Sequence, residues 1–430
     1  MDIPKNIAPK LSRPVAVLGW GVSGKSVSQL LAHIGVPSVA YDEKGGDGVL
    51  TTFGPEEISQ HDLVVYSPGF AQSHPWMLAA RRAGVTCLGE LDFASLFWAE
   101  SMVAVTGTNG KTTLTEFLVF AHKRNGREAV AVGNIGYPLS RVFELTGNRM
   151  PLPVCEVSSF QAEDMRHFAP TALLWTNFDE DHLDRHPDLE TYFRAKFKLI
   201  DRLASRRLIV GESVVEYTKK FGMELPSFTE VATRAEVAGK IPDGSVFSSY
   251  PQSENYALAL RYWTGEGLPV RALEDAARVF APARHRLSKV AEINGISYWN
   301  DSKGTNFHAV LSALEEITGQ IHWIGGGKWK GGNVRAFAEK LAKKVKYSYL
   351  IGETGPELHD VFVEQGIPSR VFKKLPEAVF AAHQAAKTGD AILLSPGFSS
   401  FDMFKSYADR GLAFEQTVLG LKNSVATSSK

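Results

Sequence analysis

The sequence predicts an α/β protein of three domains: a Rossmann-like N-terminal domain, a P-loop central domain and a Rossmann-like C-terminal domain. Three observations carry that expectation. Short apolar runs of strand type alternate with helix-period patterns along most of the chain, as in doubly wound sheets. Two glycine-punctuated turns, at Gly19 to Gly24 and at Gly107 to Gly110, each stand between an apolar run and a helical pattern. And 430 residues exceed what one hydrophobic core organises. The boundaries are expected at residues 1–98, 99–282 and 283–430.

Composition narrows the classes. With 44% hydrophobic residues every domain can be compact, and 47 basic against 47 acidic residues leave no net field to attract nucleic acid or a membrane surface. Anionic ligands must then be held by local devices. The only cysteines, Cys87 and Cys155, lie in apolar runs, which suits buried thiols in a reducing compartment. The stretch from Met1 to Pro14 is polar, and no apolar run is long enough to span a bilayer. A soluble cytoplasmic protein is expected, and a monomer.

In chain order, Val15 to Leu18 reads as a strand. Gly19-Trp20-Gly21-Val22-Ser23-Gly24 follows, then a helix face of Val27, Leu30, Leu31 and Ile34, then a strand ending at Asp42. This is the dinucleotide-binding fingerprint, whose physical content is that a diphosphate can approach a helix N-terminus. Strands at Leu63 to Tyr66 and Thr86 to Leu88 complete the domain, with Ser67-Pro68-Gly69 as a crevice loop.

The central domain opens on Met102 to Thr106 and the loop Gly107-Thr108-Asn109-Gly110-Lys111-Thr112-Thr113. Leu114, Phe117, Leu118 and Ala121 mark the helix after it. Backbone N–H groups would cradle phosphates, Lys111 would add a mobile cation, and a Thr112 or Thr113 hydroxyl could reach magnesium. Val105 stands where the general P-loop pattern has its first glycine. Strands at Ala129 to Val132, Val154 to Val157 and Ala172 to Trp175 follow, the second carrying Glu156, with Asp181 and His182 expected just beyond strand ends. Carboxylate and imidazole near triphosphate oxygens suit Mg²⁺, which takes few protein ligands. From about Glu212 to Tyr250 only loops and short strands are expected. Helices follow at Asn255 to Trp263 and Leu273 to Phe280, and Pro282 marks a linker.

In the third domain Asn294-Gly295 predicts a tight hairpin turn, and Phe307, Val310, Leu311, Leu314 and Ile317 a helix face. Strands at Ile321 to Ile324, Tyr347 to Ile351 and Ala391 to Leu394 complete a sheet, and the chain after Ser424 reads as a frayed tail. Two phosphate-type loops in separate domains suit a kinase-like or ligase reaction. An NAD-dependent oxidoreductase using Gly19 to Gly24 is the alternative from another class.

The run Thr106 to Thr113, Gly133-Asn134-Ile135-Gly136, Glu156-Val157-Ser158-Ser159-Phe160-Gln161 and Asp181-His182-Leu183-Asp184-Arg185-His186 resemble the Mur ligases of peptidoglycan synthesis. Asn300-Asp301-Ser302-Lys303 and the run Ser395 to Asp402 are similar to that family's third-domain motifs. The resemblance implies an ATP-dependent amide ligase that joins D-glutamate to UDP-N-acetylmuramoyl-L-alanine through an acyl phosphate. Another amino-acid specificity within the family is the nearer alternative.

By that resemblance the cofactors are ATP and Mg²⁺, expected as two ions. Gly107, Thr108, Asn109, Gly110, Lys111, Thr112 and Thr113 would hold ATP phosphates, with Asn255 at the adenine and Arg286 and Asp301 at the nucleotide. Val22, Ser23, Asp42, Gly69 and Asn134 would touch the uridine diphosphate, with Ser158 also on the substrate side. Thr112, Glu156 and His182 would serve the metal, together with Lys196 if it is carbamylated; Lys198 lies close enough to leave both open. Lys303, Thr305, Lys330, Ser400, Phe401 and Tyr407 would receive the amino acid. Lys111, His182, Lys196 and Lys303 are the expected catalytic groups. Lys328 departs from the family pattern, which has an acidic residue there, as does Tyr407, where phenylalanine is common. Closure about Phe280 to Arg286 would exclude water from the acyl phosphate.

Overall fold

The computed structural model describes residues 3–70, 72–144, 150–183, 185–248, 251–282, 284–329 and 331–428. Strands β1 (Val15–Leu18), β2 (Ser38–Tyr41), β3 (Leu63–Tyr66) and β4 (Thr86–Gly89) form a parallel sheet of order β2-β1-β3-β4. β1 and β3 are buried at every position, as strands covered on both faces must be. The helix Val22–His33 lies close to this sheet because position 24 has no side chain. A Cβ there would stand 1.8 Å from the Gly19 carbonyl oxygen.

A second parallel sheet contains β5 (Val103–Thr106), β6 (Ala129–Gly133), β7 (Leu152–Glu156), β8 (Ala172–Trp175), β9 (Leu208–Gly211) and β10 (Thr229–Ala232), in the order β10-β9-β8-β5-β7-β6. β5 is central, with Val105 paired to both Glu156 and Leu174. Glu156 is the last residue of β7, which ends one position before the expected Val157. The stretch expected to be loops and short strands also holds a helix, Glu212–Lys220, directly after β9.

These two sheets share one compact unit, made of Met1–Phe178, Phe193–Ser245 and Ser253–Phe280. Two buried carboxylates of the helix Glu90–Ser95 join them. Glu90 Oε1 accepts from the Ser140 amide at 2.8 Å and its hydroxyl at 2.7 Å, and Asp92 accepts the backbone N–H groups of Arg166, His167 and Phe168. A buried carboxylate is tolerated when donors surround it.

The other compact unit is Asp179–Tyr192, Val246–Gln252 and Ala281–Lys430. Its sheet takes β11 (Ser288–Ile293), β12 (Ile296–Asn300), β13 (Ile321–Gly325), β14 (Val345–Leu350), β15 (Ser369–Val371) and β16 (Ala391–Leu394) in the order β11-β12-β16-β13-β14-β15. All pairs are parallel except the β11–β12 hairpin. Asn294 and Gly295 both have positive φ, 52° and 74°, as a two-residue hairpin turn needs. The tail continues as the final helix, Tyr407–Ser428, instead of fraying after Ser424. Cys87 and Cys155 are free and buried. Among the described residues no helix is long and apolar enough to cross a membrane.

Candidate active site

The loop after β5 is braced from the neighbouring strand. The Thr108 amide donates to the Asn177 carbonyl at 3.0 Å and the Asn109 amide to Asn177 Oδ1 at 2.8 Å. Thr176 Oγ1 lies 2.6 Å from the Asn109 carbonyl. Gly107, at φ 143°, leaves room for that brace, since a Cβ would meet Thr176 Oγ1 at 1.9 Å. Gly110 is the N-cap of the helix Lys111–Arg124, so the loop ends at the positive end of a helix dipole. Lys111 Nζ donates to the carbonyls of Gly107 at 2.9 Å and Thr108 at 2.8 Å. Thr112 and Thr113 are buried in the first turn. Asn255, from the helix Gln252–Gly265, reaches the same cap, its Nδ2 3.4 Å from the Gly110 carbonyl.

The two neighbouring lysines separate cleanly. Lys196 is 1% exposed, and its Nζ donates to the Gly107 carbonyl at 2.8 Å and lies 3.5 Å from Thr106 Oγ1. Lys198 Nζ instead donates to the Glu163 carbonyl at an exposed position. The helix Leu189–Phe197 thus directs the first of the pair to the phosphate loop.

At the carboxyl ends of β1, β2 and β3, where the first sheet changes winding direction, a cleft of about 590 Å³ opens. Val22, Ser23, Asp42, Gly69 and Asn134 all line it. Asp42 Oδ2 accepts the Trp20 amide at 2.8 Å and Oδ1 the Lys44 amide at 3.0 Å, and these bonds hold its carboxyl below the usual carboxylate range. Asn134 Nδ2 donates to Glu156 Oε1 at 2.7 Å, which connects this cleft to the strand beside the phosphate loop. Glu156 is 1% exposed and its Oε2 is buried with no hydrogen-bond partner. An orphaned carboxylate oxygen fits a cation. Ser158 caps the helix Ser159–Asp164, its hydroxyl exchanging bonds with Gln161.

In the other unit, His182 has φ 55°, unusual for a residue with a Cβ. Asp181 holds it there: Oδ1 accepts the His182 amide at 2.8 Å, and Oδ2 lies 3.6 Å from His182 Nε2 while accepting Asn306 Nδ2 at 2.9 Å. Asp301 is buried, accepting Ser395 Oγ at 2.7 Å and the Leu287 amide at 3.2 Å; burial pushes its carboxyl up to about 7. Arg286 is one of the charges that act on it. Lys303 Nζ lies 5.1 Å from the centre of the Tyr407 ring. Thr305 lines a narrow cleft with Asn306 and Gly397, and Ser400 is buried. Phe401 is 72% exposed. Lys330 and Asp184 lie outside the described residues.

Four contributors escaped the sequence reading as site residues. Thr176 and Asn177 brace the phosphate loop, Asn306 holds Asp181, and Arg410 ties loops of the third sheet. Only Thr176 and Asn177 carried a signal, their place directly after a strand of the P-loop domain. Among the described residues no group of three or more His, Cys, Asp or Glu is arranged to hold a metal.

Residues 105–237 match the Mur ligase middle domain, and residues 285–398 match the Mur ligase, glutamate ligase domain. The chain is 31% identical over 444 residues to a UDP-N-acetylmuramoylalanine–D-glutamate ligase of Caldanaerobacter subterraneus subsp. tengcongensis, covering 95% of this chain and 98% of the relative. It is 34% identical over 448 residues to the enzyme of the same name from Desulfotalea psychrophila, covering 95% and 96%. Among solved structures, the MurF ligase from Thermotoga maritima in complex with ADP superposes with a TM-score of 0.58 at 16% identity, over 98% of this chain and 97% of that one. Parallel sheets, a braced phosphate loop and these relatives define a ligase built on a P-loop domain. The chain belongs to the Mur ligase family.

Proposed function

We propose that this ligase joins D-glutamate to UDP-N-acetylmuramoyl-L-alanine, using ATP and magnesium, in cytoplasmic synthesis of peptidoglycan precursors. The reading is supported by relatives of that name covering nearly the whole chain. The observation that carries it physically is the Asn134–Glu156 hydrogen bond. Through it a cleft with room for a nucleotide diphosphate adjoins the strand paired to the root of the phosphate loop.

In this scheme residues 1–98 bind the UDP group through Val22, Ser23, Asp42 and Gly69, joined by Asn134. Residues 99–282 bind ATP, and residues 283–430 receive the amino acid through Lys303, Thr305, Lys330, Ser400, Phe401 and Tyr407. Lys111 and the loop amides offset the repulsion between the γ-phosphoryl group and the substrate carboxylate. Asn255, Arg286 and Asp301 hold the nucleotide. Thr112, Glu156, His182 and a carbamylated Lys196 would hold magnesium, which would supply charge neutralisation at the transferring phosphoryl. Carbamylation replaces the Lys196 cation by an anion beside the loop. Transfer of the γ-phosphoryl group to the substrate carboxylate releases ADP and gives an acyl phosphate; the D-glutamate amine then attacks its acyl carbon, loses a proton, and phosphate leaves. The chain acts as a monomer.

Phosphate release with UDP-N-acetylmuramoyl-L-alanine and a panel of D- and L-amino acids tests the reading, with turnover expected for D-glutamate alone. Turnover with a different amino acid would move the chain to another branch of the family. Binding of NADH without binding of ATP would overturn the ligase chemistry.

A further inference from the structure

The third sheet presents two loops to the proposed amino-acid site. One follows β12 and carries Lys303 and Thr305; the other follows β16 and carries Ser400. Arg410, on the final helix, is 1% exposed and joins the two. Its Nε donates to Ser302 Oγ at 3.0 Å and its Nη2 to the Ser302 carbonyl at 2.9 Å, while its Nη1 donates to the Phe398 carbonyl at 3.2 Å. Ser302 Oγ in turn donates to the Tyr407 carbonyl at 2.8 Å. The guanidinium is thus bonded to the residue just before Lys303 and to the residue two before Ser400. Asp301 and Asp402 are the carboxylates whose charges act on it.

We infer that Arg410 is the positioning residue of the amino-acid site, setting the separation of Lys303 from Ser400 through Ser302 and Phe398. The inference rests on the reading that these loops receive D-glutamate. Buried as it is, Arg410 has no surface to offer the amino acid and acts through its neighbours. The guanidinium suits the task because its donors point in fixed directions within one plane, two to one loop and one to the other. A lysine ammonium is a single point on a flexible stem and cannot hold three acceptors in that arrangement. Core stabilisation alone would make the arginine matter equally to every substrate; positioning makes it matter to one.

The test is steady-state phosphate release by the full-length protein, varying each substrate in turn. Arg410→Lys is expected to raise KM for D-glutamate about tenfold, the effect of losing one or two hydrogen bonds to a charged donor, with KM for ATP and for UDP-N-acetylmuramoyl-L-alanine within about twofold of wild type. Ser302→Ala, which removes one of the three acceptors and keeps the charge, is expected to raise the same constant about threefold. It decides the matter if Arg410→Lys does not fold. Unchanged constants, or all three moved by one factor, would overturn the inference. Wild-type protein that releases no phosphate with D-glutamate is a separate result, which overturns the functional reading and this inference with it.

Discussion

Burying an ammonium is unfavourable unless its donors find acceptors, so the 1% exposure of Lys196 and its bond to Gly107 mark it off from its neighbour Lys198. Lys196→Ala is expected to abolish phosphate release, while Lys198→Ala stays within about twofold of wild type, since an exposed bond to one carbonyl contributes little. For Lys111→Ala a loss of at least ~10³-fold in kcat is expected with an unchanged melting curve, because its proposed work is electrostatic. Glu254, beside Asn255, gives a pH effect. Burial pushes its carboxyl up to about 7, opposed by Arg234 and reinforced by Glu212. A folded-state pKa above the unfolded one favours folding with the proton on, so its contribution is complete below pH 4.5 and is lost as pH rises through 7. Glu254→Gln should therefore melt about 2–4 °C above wild type at pH 8, with the gap closing below pH 4.5.

The first βα turn shows how an element carries a site. Gly24 lets the helix Val22–His33 lie against the Gly19 carbonyl, which places Val22 and Ser23 at the rim of the cleft. Gly24→Ala is expected to lower the melting temperature and to raise KM for the UDP substrate at least about tenfold, with KM for ATP little changed; equal effects on both would count against this role. Elements of this kind were legible because the information is local. A glycine pair, a lysine and an apolar period within a dozen residues specify strand, loop and helix, and β1, β3, β5 and β8 begin and end as the sequence predicts, to within one residue. The unread parts are non-local. Asn177 acts on a loop 68 positions earlier and Arg410 on a serine 108 positions earlier, and in sequence each reads as a polar residue near a surface. Lys196 is intermediate, since the family resemblance marked it while its charge suggested solvent.

Three doubly wound sheets organise the chain, and the alternation of apolar runs with helical periods foresaw most of their strands, though not β9 or β15. The grouping of the chain into units was not foreseeable in the same way. Asp179–Tyr192 lies in sequence within the P-loop domain yet belongs to the compact unit of the third sheet, where Asp179 faces His308 at 3.6 Å and Asp181 accepts from Asn306. No periodicity announces such a loan, because a polar loop can be satisfied by any surface rich in donors. The polypeptide passes from one unit to the other at 178/179, 192/193, 245/246, 252/253 and 280/281. A gene fragment encoding only residues 283–430 would therefore lack a strap its own surface is shaped to hold. Such a fragment is expected to melt below the intact protein and to regain part of the difference when a peptide of residues 179–192 is added, so dissection of this molecule by simple truncation would understate how well its last lobe is made.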